Sequence, residues 1–73
     1  MTPTRKRALD NSEKQKYNIS QDKKAYLFEF DKIIEERCDE FDYQLESDGY
    51  TIVFQDLEPA AVSIFNYTVI AYK

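Results

Sequence analysis

Eight carboxylates fall within residues 31–48, DKIIEERCDEFDYQLESD, beside only two basic side chains, Lys32 and Arg37. What chemistry this run can do depends on its company. The chain has no histidine and one cysteine, Cys38. A cysteine nucleophile needs a base, and the usual one is missing. Neighbouring acids raise a thiol's pKa, so Cys38 reads as structural rather than reactive. A zinc site would lack its commonest nitrogen ligand. The acids of DFDYQLESDGY do not follow the order of ligands in an EF-hand loop. With one glycine there is no phosphate-cradling loop, and so short a chain leaves little room for a concave pocket. No enzyme, cofactor or metal is expected. What remains is the charge itself, used as a surface.

That charge is segregated along the chain. The net charge of −4 combines a basic beginning with an acidic middle. Residues 1–24 carry seven basic and three acidic side chains, whereas residues 29–58 carry eleven acidic and two basic ones. Such asymmetry concerns partners rather than fold. A direct nucleic-acid binder is disfavoured, because the acidic segment repels the phosphates that the basic one attracts.

The elements that must hold this surface come from a chain of 73 residues, enough for one small domain. Burial in so small a core outweighs chain entropy by only ~3–5 kcal/mol, and a lone cysteine adds no intrachain crosslink. Residues 1–19 have little apolar content and no period, and read as a disordered basic arm. Residues 20–73 read as a single α+β domain. Ser20 is a good N-cap, and Asp22 suits a first helical turn. Apolar residues then fall at Tyr26, Leu27, Phe30, Ile33, Ile34, Cys38, Phe41 and Leu45, one stripe of a helix over 21–46. Gly49 follows as a stop. The rival reading takes AYLFEF at 25–30 as a strand and gives β-α-β-β. On the long helix Phe28 and Tyr43 lie off the stripe, among Lys32, Glu35, Asp39, Asp42 and Glu46. Rings inside a charged surround are the pattern of a binding face. The partner-binding set is therefore Phe28, Glu35, Glu36, Asp39, Glu40, Asp42, Tyr43 and Glu46.

The C-terminal part reads as an antiparallel hairpin of 50–55 and 62–72, broken at Pro59. The second strand is apolar on both faces, and one helix can cover only one face of a two-stranded ribbon. A second copy of the chain is the simplest cover. Ile64, Phe65, Tyr67, Val69 and Ile70 are its expected dimer interface. No apolar run is long enough to span a membrane, and no apolar stretch follows the N-terminal basic residues as in a secretory signal. With the unpaired cysteine, this points to the cytoplasm.

On a long helix, Glu29, Asp31, Glu35, Glu36, Asp39, Glu40, Asp42 and Glu46 would place one charge per ~3.2 Å, near the ~3.4 Å spacing along one DNA strand. In length, acidic helix, exposed aromatics and scarcity of glycine, residues 26–58 resemble the small acidic DNA-mimic inhibitors encoded by bacteriophages. The resemblance is one of class and rests on no motif; the basic stretch at Arg5–Arg7 departs from it. It implies a protein of the host cytoplasm that occludes the DNA site of a basic-grooved partner, such as a sliding clamp, polymerase, nuclease or restriction enzyme. The alternative is a dimeric interaction module or antitoxin-like accessory subunit, with the acidic helix only a solvated face.

Overall fold

A computed structural model of the chain describes residues 3–73. Four strands and two short helices follow one another along it: β1 (Arg5–Ala8), α1 (Asn11–Lys16), β2 (Ala25–Ile33), α2 (Arg37–Ser47), β3 (Thr51–Ala61) and β4 (Ile64–Tyr72). The strands form one sheet of order β1-β2-β4-β3, with every neighbouring pair antiparallel.

The long helix expected over 21–46 does not form. Residues 25–33 are strand, and α2 is confined to Arg37–Ser47. Aromatic residues fit a pleated, half-buried surface, and in this stretch both surfaces are used. Phe28 and Phe30 face the core under α2, whereas Ala25 and Leu27 pack on the other side of the sheet. A single helical stripe could bury only one of these sets. The helical spacing of Phe30 and Ile33 has a different origin. The register of β2 shifts between them, and Lys32 adopts φ 56°. This bulge returns Ile33 to the same face as Phe30.

The sheet is also larger than the isolated hairpin expected. β3 and β4 pair antiparallel, but β4 also pairs with β2, from Ala25↔Tyr72 to Ile33↔Phe65. Over residues 25–72 the element order is β-α-β-β, and β1 and α1 extend it in a segment expected to be disordered. α1 begins in a capping box: the Asp10 carboxylate accepts from the Glu13 N–H, and the Glu13 side chain from the Asp10 N–H. Two orphan donors are thereby satisfied. Arg7 donates twice to the Glu13 carboxylate, at 2.9 and 2.8 Å, tying α1 to β1. Leu9 and Ile19 flank α1 and are buried against Ala25 and Ile70.

Two clusters form the core, one on each face of β4. The larger joins Phe28, Phe30, Ile33, Phe41, Leu45, Tyr67, Val69 and Ala71 under α2. Phe30 and Phe41 stack at 4.2 Å with 10° between their planes. At the end of α2, Gly49 has φ 94°. There the Gly49 N–H bonds the Glu46 carbonyl and the Tyr50 N–H the Leu45 carbonyl, both at 3.0 Å. This is a Schellman closure, and its positive φ suits a residue without Cβ.

Candidate protein-binding surface

The expected partner-binding residues do not share one surface. Phe28 is 3% exposed and belongs to the main core, so it is no anchor for a partner. Tyr43 is 72% exposed, on the outer side of α2. Glu35 and Glu36 occupy the turn before the helix, while Asp39, Glu40 and Glu46 lie exposed along it. Asp42 is half-buried and already engaged. Its carboxylate accepts from Tyr67 Oη and Gln55 Nε2, both at 2.7 Å, and Gln55 also donates to Tyr67 Oη at 2.9 Å. Burial and then the bond to Asp42 push the Tyr67 hydroxyl well above its ordinary pKa. This node ties the helix flank to β3 and β4.

The continuous helical array of charge over 29–46 is also divided. Glu29 and Asp31 lie on β2, where Arg5 bonds both, at 2.7 and 3.1 Å. The remaining acidic ridge runs from Glu35 to Glu46. Among the described residues its only ion pair is Arg37 with Glu40, at 3.2 Å. Asp39 and Glu40 stand in the first turn of α2, where the helix dipole favours them, but no basic residue occupies the last turn. Glu46 therefore faces the negative end of the dipole without compensation. Cys38 is half-buried on the inner side. Burial first, then Asp42, Glu35 and Asp39, raise its thiol pKa, against nucleophilic use.

The residues expected at a dimer interface belong largely to the protomer's own core. Tyr67 and Val69 are buried under α2, Ile70 is buried on the opposite face, and Ile64 and Phe65 are half-buried near the hairpin turn. Leu9 and Ile19 supply the cover on Ile70 that a second copy was expected to provide. The Asp-x-x-Glu box at 10–13 was the legible signal for it.

Sequence reasoning also passed over Gln55, Asp56 and Glu58 on β3. Asp56 pairs with Thr68 and Glu58 with Asn66, on the face away from α2, since Tyr67 and Val69 lie beneath the helix. The alternation of Asp56 and Glu58 with Gln55 and Leu57 was the available signal. No helix among the described residues is long and apolar enough to cross a membrane. Comparison with protein-family models, with curated proteins and with solved structures returns no match.

Proposed function

We propose that this chain is a non-catalytic binding protein whose acidic ridge, Glu35 to Glu46, docks on a basic, phosphate-binding surface of a nucleic-acid-binding protein. Occupying that surface, it competes with nucleic acid. The observation behind this reading is Tyr43, a large aromatic ring left 72% exposed among carboxylates. A tyrosine in a charged surround is the composition of an interface anchor. Glu46 supports the reading, because a carboxylate at a helix C-terminus is unfavourable for the helix alone. A partner's lysines and arginines would offset both the dipole and the mutual repulsion of the acids. The mimicry is local. An eleven-residue helix is ~16 Å long, so it stands in for a few phosphates rather than a long duplex.

The test is competition. Lysate proteins held on the immobilised chain and released by salt are assayed for DNA binding with and without it. The chain should displace DNA, and Glu35→Lys, Asp39→Lys and Glu46→Lys together should abolish displacement while leaving the fold intact. DNA affinity that does not change when the chain is added sinks the proposal.

A further inference from the structure

Strand β3 lies at the sheet edge and pairs with β4 alone. Nine of its eleven residues are exposed. Among the described residues, none of 51–61 makes a backbone hydrogen bond outside the strand ladder. Register shifts at Ile52/Phe54 and Pro59/Ala61 bracket a regular stretch, Phe54–Pro59. Pro59 has no N–H to donate, so the usable open edge is 54–58, ~16 Å long. Native sheets usually blunt such an edge, most often with lysine. Here Pro59 and the two register shifts confine the open part to the residues between them, and the charges beside it are carboxylates rather than lysines. Asp56 and Glu58 project on the face away from α2. On the other face, the Gln55–Asp42 bond turns one flank of α2 toward β3. Asp39 and Glu46, three residues before Asp42 and four after it, share that flank. Residues 38–72 contain no lysine or arginine.

This charge selects among occupants. Two copies pairing edge to edge over 56–58 would set carboxylates against carboxylates, which is destabilising. A basic strand meets the opposite sign on both faces. We propose that β3 accepts, as a fifth strand of the sheet, an extended lysine- or arginine-rich segment of the partner protein. This deepens the docking reading above and rests on it for the sign of the partner's charge. The edge N–H and C=O groups of 54–58 bind the segment's backbone. Alternate basic side chains then reach Asp56 and Glu58 on one face and the exposed Asp39 and Glu46 of the α2 flank on the other.

An N-acetylated oligolysine peptide, and the same peptide N-methylated at alternate backbone amides, test this on the full chain. Both carry the same charge, but only the first can complete a ladder. Oligolysine should slow amide exchange within 54–58, and methylation should weaken binding at least about tenfold, as expected when several hydrogen bonds are lost. Asp56→Lys with Glu58→Lys, both on an exposed strand face, should abolish oligolysine binding without unfolding the chain. Equal affinity for the two peptides, or unchanged exchange at 54–58, overturns strand addition. It leaves the docking reading standing if the α2 charge reversal still abolishes DNA competition. Protection of 54–58 together with an α2 reversal that leaves competition intact overturns the docking reading instead.

Discussion

Phe28 and Tyr43 look alike in composition and spacing but sit in opposite environments. Phe28 packs edge-on against Tyr50 at 5.2 Å inside the main core. Phe28→Ala is expected to cost about 3–5 kcal/mol of stability, comparable to the whole margin of so small a core. Loss of the cooperative thermal transition would report it. Tyr43→Ala removes a ring that mostly faces solvent. Its stability should stay within about 0.5 kcal/mol of the parent, while partner affinity falls by about 2 kcal/mol if the ring is a hot spot. Titration calorimetry and a melting curve separate the two effects. Glu13 gives a pH dependence of known sign. Hydrogen bonds from Arg7, then from the Asp10 backbone N–H, lower its carboxyl pKa from the ordinary 4.5 to about 2. The folded state thus binds this proton less readily than the unfolded chain. Its contribution to stability is present above pH 4.5 and is lost as pH falls through about 2. The protection factor of the Ile19 amide, the exchange rate in the unfolded chain divided by its own at the same pH, should fall over that range, and Glu13→Gln should remove the dependence.

At the scale of elements, α2 depends on its C-terminal turn. A Cβ at Gly49 would meet Lys73 Cε at 3.3 Å, and φ is 94°. Gly49→Ala should cost about 1–2 kcal/mol, the penalty of a left-handed backbone for a residue with Cβ, measurable by urea denaturation. The helix was legible in part. Cys38, Phe41 and Leu45 do form its inner face. Its beginning was not legible, because the Phe30, Ile33 and Ile34 spacing continues the stripe backwards into a bulged strand. Periodicity cannot separate a helical i, i+3 pair from a strand pair brought to one face by a bulge. The aromatic alternation at 26, 28 and 30 did contain the strand signal.

For the molecule as a whole, the N-terminal segment decides the second face of the sheet. With Leu9 and Ile19 seated on Ile70, the reason for placing a second copy there disappears, and the acidic β3 edge disfavours pairing of β3 with β3. Sedimentation should give about 8.7 kDa, and Leu9→Asp should lower stability without changing mass. A species of twice that mass, dissociated by Leu9→Asp, would restore the dimer.

Composition and local pattern alone determined the segregation of charge, the absence of histidine, the amphipathic core of α2, the turn at Gly49 and the apolar character of both faces of β4. These are properties of residue type and short-range spacing, readable without knowing what lies opposite. Only the tertiary structure decided which neighbour covers each face. It buried Phe28, gave Glu29 and Asp31 to Arg5, closed Asp42 onto Tyr67 and Gln55, and left Tyr43 and the β3 edge open. Those outcomes depend on contacts between residues far apart in the chain. A pairing such as Arg5↔Glu29 leaves no periodic trace in either segment, because each strand's pattern is satisfied equally well by any partner of suitable shape and charge.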